Sequence, residues 1–334
     1  MALLAGTLAG CEISRPASSQ PTAAPDPSIQ ASREPITPLS EPEGLDPDIV
    51  ALGRALFHDN RLSRDNTVSC ATCHVLERAG VDHLPASRGI DGLLGHRNAP
   101  TVFNAARNYL QFWDGRARTL EEQIDGPIHN QRELASDWPT ITAALGQDPT
   151  MKQRFREAFG SDEVSAERIK RAIADFERTL ITVNSPFDRY LAGQPDAIGE
   201  DARAGYALFK DIGCSSCHQG ANVGGNMFQR IGVTVSFEGP LLEDGTVDLG
   251  RYAVTGDDDD QYVFRVPSLR LAAATPPYFH DGGVDTLEEA IQAMAWHQLG
   301  RILEDEQTAL IAAFLRTLPG EYQGLPICPP DRCP

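Results

Sequence analysis

The 334-residue sequence has no stretch of 18 or more apolar residues, which excludes a membrane-spanning helix of ordinary length. Cationic residues are scarce: 29 Lys and Arg stand against 47 Asp and Glu, for a net charge of −18. That deficit argues against nucleic acid as a partner and leaves an acidic, solvated surface, which can also steer a basic protein. The run from Asp257 to Asp260 is part of it. Methionine is rare, with four residues, and cysteine is limited to seven, so each of them can be given a role.

Four of the cysteines stand in Cys70-Ala71-Thr72-Cys73-His74 and Cys214-Ser215-Ser216-Cys217-His218. Cys-x-x-Cys-His is the attachment pattern of a c-type haem. Two thiols one helical turn apart add to the two vinyl groups of a porphyrin, and the His that follows sits under the iron. A zinc half-site would need four grouped ligands, and a redox dithiol would not need the adjacent His. Two copies, both followed by His, make haem the reading. They predict two covalently bound haem c groups, with cofactor residues Cys70, Cys73, His74, Cys214, Cys217 and His218.

Residues 1–11 are short, small and apolar and end in Cys11. They resemble a bacterial lipoprotein signal, although no positive charge opens the segment. That resemblance implies a lipid anchor at Cys11 and a periplasmic protein, with the outer membrane favoured by Glu12. Residues 12–44 are rich in Pro, Ser, Ala and Thr and read as a disordered spacer. Cys328 and Cys333 flank Pro-Pro-Asp-Arg in a tail over 326–334 and can form a disulfide in an oxidising compartment.

Between spacer and tail the pattern is mainly α. Asp46-Pro47 opens a helix through about Phe57, with Asp as cap and Pro in the first turn. Further helices are predicted from Thr119 with a stop at Gly126-Pro127-Ile128, over 139–145, 151–159, 165–181 and 200–210, from Thr286, and over 305–318. The long stretch 219–266 lacks helical period, as loops that wrap a cofactor do. With one haem motif per half, the fold class is mainly α: two cytochrome c-like domains, 45–190 and 191–325, joined near 184–198.

The motifs place the chain more narrowly. Ser69 to His74, Arg97-Asn-Ala-Pro-Thr101, Gln111 to Ala117 with Leu120-Glu-Glu-Gln123 and Gly126-Pro-Ile128, Val266-Pro-Ser-Leu-Arg270, Thr275 to Gly282, and Gln298-Leu-Gly300 together resemble the bacterial dihaem cytochrome c peroxidase family. The matching stretches span about residues 45–322. A related dihaem enzyme, which matures a tryptophan-derived quinone in methylamine dehydrogenase, shares the architecture.

The resemblance implies roles for single residues. His74 is the proximal ligand at the peroxide site. Glu133, 20 positions after Trp113, is the distal acid-base carboxylate; taken alone, it reads as a surface Glu. Gln123 and Pro127 line the same pocket, and Gln123 can hydrogen-bond peroxide but cannot act as a base. Met294 is the second axial ligand beside His218, with His297 and Met227 as rivals; a thioether raises the potential and suits electron entry. The quinone-maturing enzyme has Tyr at this place. Trp113 is the relay between the haems. Asn98, Thr275 and Pro277 are the positions of an inter-domain calcium. Ile90 stands where many members carry a distal His, so the first haem is either open or served by His83 or His96.

The function implied is reduction of hydrogen peroxide to water with electrons from a small c-type cytochrome or cupredoxin, by a protein that can form a homodimer. The alternatives are oxidation of side chains on a partner protein, and a non-enzymatic electron-transfer or peroxide-sensing role. Glu133 and an open first haem favour an enzyme, and Met294 favours the peroxidase.

Overall fold

A computed structural model describes Ala2 and residues 34–237 and 245–328. The expected signal, the lipid-anchor position Cys11, most of the spacer and Cys333 lie outside the described residues.

Nine helices of six residues or more carry the described part: α1 (Pro47–Phe57), α2 (Leu120–His129), α3 (Trp138–Gly146), α4 (Pro149–Phe159), α5 (Ala166–Arg178), α6 (Pro186–Leu191), α7 (Glu200–Asp211), α8 (Leu287–Leu299) and α9 (Asp305–Leu315). Strand is confined to two small antiparallel pairs, β1 (Phe228–Arg230) with β2 (Val263–Arg265), and β3 (Glu321–Tyr322) with β4 (Leu325–Pro326). Helix starts follow local chemistry. The Asp46 carboxylate accepts from the amide of Asp48 at 2.9 Å, with Pro47 in the first turn. Thr286 and Glu289 form a reciprocal capping box on α8.

The apolar faces build two cores. α1, α2, α4 and α5 enclose one, around Leu56, Phe155 and Ile173; α7, α8 and α9 enclose the other, around Phe209, Ala312 and Phe314. Each core contains one crossing so close that only glycine fits. A Cβ on Gly53 of α1 would overlap the carbonyl oxygen of Ala172 in α5, and one on Gly205 of α7 would overlap that of Leu310 in α9. The two halves therefore repeat one helix pair, each leading into or out of a Cys-x-x-Cys-His turn.

Three expectations change. The helix from Thr119 runs through Pro127 to His129 instead of stopping there. Proline removes one donor, toward Gln123, but the next turn closes as the amide of Asn130 donates to Gly126 at 3.0 Å. The joining segment is not a bare linker: α6 drives Phe187 into the second core, with ring centroids 4.7 Å from Tyr206 and 4.9 Å from Phe314. The spacer ends earlier than residue 44. Ile36 is buried in the second core, the Pro35 carbonyl accepts from Gly220, and the Thr37 carbonyl accepts from Arg270. Apolar Ile36 and Leu39 in an otherwise polar tract were the missed signal.

At the other end Tyr322, Ile327 and Cys328 pack on the first core. The first and last segments of the described part are thus each held by the opposite half. Cys328 is disulfide-bonded. Among the described residues no helix is long and apolar enough to cross a membrane.

Candidate haem sites and the residues between them

Cys70–Cys73 forms one α-helical turn, at whose start the Ser69 amide donates to Thr72 Oγ1 at 2.9 Å. His74 follows as its C-cap. The chain then turns back through Ala79 and Gly80, both at positive φ, which brings the Gly80 carbonyl within 3.3 Å of His74 Nδ1. With the proton on Nδ1, Nε2 is left as a ligand atom. Burial pushes the Cys73 thiol up to about 11 and holds the Cys70 thiol higher still. Such thiols are poor redox nucleophiles. Among the described residues no three His, Cys, Asp or Glu are grouped to hold a metal, so the zinc alternative has no partners there.

Glu133 comes to this turn from the stretch after α2. Its charge acts on both Cys70 and Cys73. Desolvation raises its pKa above the usual carboxylate range, against the hydrogen bond from Asn130 Nδ2 to Oε1 at 2.6 Å and the positive charges of Arg116 and His96. It is therefore not a plain solvated carboxylate. Gln123 and Pro127, four residues apart on α2, share a helix face.

Ile90 is 1% exposed, and its amide donates to the Glu133 carbonyl at 2.9 Å. Gly89 makes that approach possible, since a Cβ there would overlap the backbone of Arg132 and Glu133. Of the two loop histidines, His83 bonds the Pro276 carbonyl at 2.8 Å, toward the second half. His96 is exposed but lies within electrostatic reach of Glu133.

The second motif forms a tighter 3₁₀ turn, Cys214–Ser216, after Gly213 at positive φ. Cys214, Cys217, His218 and Met294 all line one cavity of about 430 Å³. Most of the remaining wall is apolar, including Phe209, Val266, Leu269, Ile291 and Leu315. Burial lowers the His218 pKa to about 4, so its imidazole is neutral at neutral pH, the form that binds iron. His218 Nδ1 is buried with no well-formed hydrogen bond. His297 is turned aside: its Nδ1 bonds the Val235 carbonyl at 3.0 Å, and Phe237 packs on its ring. Met227 is absent from the cavity wall, and its carbonyl accepts from Val266.

Trp113 lines the same cavity and touches both halves. Its indole Nε1 donates to the Asn98 carbonyl at 3.0 Å, and its own carbonyl accepts from the Arg265 amide at 2.7 Å. Asn98, Thr275 and Pro277 also reach this wall. Asn98 Nδ2 donates to the Leu84 carbonyl at 2.9 Å, which turns Oδ1 away from that bond. Around them Arg97 pairs with Asp248 and Asp114 at 2.6 Å each, tying the halves together. His280 stacks on Phe264 with centroids 4.1 Å apart.

Sequence reasoning did not single out Arg265 or His280. The available signal for Arg265 was one charge inside the apolar run Val263-Phe264-Arg265-Val266-Pro267.

Free thiols, neutral imidazoles and an apolar cavity closed by a thioether fit two covalently held haems. Comparisons with known proteins agree. Residues 47–196 match the family model described as Di-haem cytochrome c peroxidase. A cytochrome c551 peroxidase of Nitrosomonas europaea is 43% identical over 305 residues, covering 91% of this chain and 90% of that protein. The cytochrome c peroxidase Ccp of Escherichia coli is 45% identical over 290 residues, covering 86% of this chain and 62% of the other. Among solved structures, a MauG-like protein associated with microbial copper homeostasis superposes with a TM-score of 0.72 at 28% identity, over 85% of this chain and 93% of that one.

Proposed function

The chain belongs to the di-haem cytochrome c peroxidase family, and on that premise we propose that it reduces hydrogen peroxide to water with electrons from a small c-type cytochrome or a blue-copper protein. The observation that carries the reading is Glu133, a desolvated carboxyl with a raised pKa, held by Asn130 within electrostatic reach of the first Cys-x-x-Cys-His turn.

Cys70, Cys73 and His74 would hold one haem c; Cys214, Cys217, His218 and Met294 would hold the other. Bound there, the two haems would supply iron to take peroxide and a store for reducing electrons. The net reaction takes one peroxide, two protons and two electrons to two waters. Glu133 accepts the proton of the inner peroxide oxygen and returns it to the outer oxygen as the O–O bond breaks. Its raised pKa suits both halves of that task, because a carboxyl of ordinary acidity would hold the proton too weakly to return it. Asn130 fixes the carboxyl by occupying Oε1. The Gln123 amide hydrogen-bonds peroxide or water, and Pro127, with no N–H, keeps the neighbouring wall apolar. Trp113 spans the halves as the relay.

Ile90 cannot ligate iron, and its burial on the Glu133 backbone supports a first site that is open without prior reduction. The bond of His83 to Pro276 leaves His96 as the rival ligand. Asn98, Thr275 and Pro277 would hold a calcium ion at the junction. The disulfide at Cys328 supports an oxidising compartment, the periplasm. A lipid anchor at Cys11, an outer-membrane location and a homodimer rest on the sequence reading alone.

The deciding experiment is peroxide-dependent oxidation of a reduced c-type cytochrome by the haem-loaded protein, with and without prior half-reduction. Turnover in both states is expected. Turnover only after half-reduction would mean that His96 blocks the first site, and none in either state would remove the peroxidase reading.

A further inference from the structure

Among the described residues two arginines are buried, Arg265 and Arg270, and one of them has an anionic partner. Arg270, fully buried, pairs with Asp188 at 2.7 Å and donates to the Ala221 and Thr37 carbonyls. Arg97 has two carboxylates. Arg265 is 4% exposed and lies on the wall of the second cavity, yet among the described residues no carboxylate stands within 4.0 Å of it. The one hydrogen bond of its guanidinium there runs from Nε to the Phe112 carbonyl at 3.2 Å. Nη1 and Nη2 are left for whatever fills the cavity. Burial alone acts on its charge and lowers its pKa to about 10, so it stays protonated at neutral pH.

A buried, unpaired charge is costly, and removing it from water is repaid only by an anion with good geometry. The cavity is otherwise largely apolar, so the counter-ion must come with its occupant. A guanidinium prefers a carboxylate, which it can grip with two parallel N–H···O bonds. The occupant inferred above carries carboxylates on its porphyrin edge.

We propose that Arg265 is the carboxylate anchor of the second haem, gripping one propionate through Nη1 and Nη2. The proposal rests on the reading that Cys214, Cys217 and His218 hold a haem. It also gives Arg265 a positioning role at the junction. Its backbone amide holds the Trp113 carbonyl while its side chain orients the haem edge toward that same residue. A fixed positive charge beside the haem favours the reduced iron, which is the bias an electron-entry site needs.

The test is a spectroelectrochemical titration of the haem-loaded protein and of Arg265→Met and Arg265→Lys, with haem counted by the pyridine haemochrome assay. Two haems per chain are expected in the parent. Arg265→Met is expected to shift the second haem's ferrous–ferric equilibrium toward ferric by about tenfold or more, ~59 mV for a one-electron couple. It should also make that potential pH-dependent near neutrality, because the orphaned propionate then titrates there. Arg265→Lys keeps the charge and is expected to restore most of both. Two haems with an unmoved potential in Arg265→Met would overturn the anchor while leaving the haem reading intact. An equal shift in Lys and Met, with no new pH dependence, would show a packing role only and also overturn it. If the Met variant loads no second haem, the Lys variant alone decides, by matching the parent or not. One haem in the parent itself would overturn the site reading and the anchor with it.

Discussion

The two halves of this chain start from one plan and end in different chemistry. Each has a first helix pressed through a glycine onto a later helix, Gly53 on α5 and Gly205 on α9. Each carries a Cys-x-x-Cys-His turn with half-buried free cysteines. Beside the first turn lies Glu133, a desolvated carboxyl held by Asn130. Around the second lie Met294, a neutral His218 and an apolar wall. The scaffold thus repeats the Cys-x-x-Cys-His turn, and a few side chains from distant segments give each turn its own surroundings.

The sharpest way to break the comparison is to remove the proton-handling side of one half. Glu133→Gln is expected to lower peroxide turnover by roughly 10²–10⁴-fold, the usual worth of a general acid-base group. The spectrum and potential of the second haem should not change. Unchanged steady-state turnover would remove the acid-base assignment.

The converse change, Met294→Leu, is expected to lower the second haem's midpoint potential by more than the ~59 mV that marks a tenfold shift, since a thioether ligand raises it. The first haem's peroxide binding should be untouched. An unaltered second-haem spectrum would return His297 or Met227 to consideration as ligand.

The shared plan can be tested against itself. Gly53→Ala and Gly205→Ala each force a Cβ into a backbone carbonyl and should cost ~1–3 kcal/mol, as overpacking does. Denaturant melts followed at each haem's Soret band should show each variant weakening chiefly its own half. Equal loosening of both would mean that the halves unfold as one unit.

The smallest effect concerns pH. The folded pKa of Glu133 lies above its ordinary value, so the base form is lost as pH falls through that raised value. The acid limb of kcat/KM is therefore expected above ~4.3, the free glutamate value. Asn130 donates to the ionised form and holds the pKa down. Asn130→Ala should move the acid limb up. A downward move would mean that Asn130 favours the protonated form.

Much of this was legible in the chain because the signals are local. A Cys-x-x-Cys-His pentapeptide carries its own spacing, and Asp46-Pro47 or Thr286 with Glu289 caps a helix within four residues. The resemblance favoured Met294 over His297, three residues on along α8, and the structure adds that the Val235 carbonyl takes the histidine while Met294 lines the cavity. The packing of the segment around Ile36 was missed because Ile36 and Leu39 are too few to make a period, and the burial of Ile36 depends on residues near 200 and 270.

The sequence by itself determined the cofactor type, the helical class, the repeat of the motif and, through resemblance, the family, because each rests on residues close together in the chain or on a set of motifs in fixed order. Only the tertiary structure decided that Glu133 is desolvated beside the first turn, that Ile90 is packed on its backbone, and that Arg265 is buried without an anion. Burial and pairing are properties of what surrounds a side chain. Those surroundings come from segments 43 to 152 positions away: Ile90 beside Glu133, and Trp113 beside Arg265.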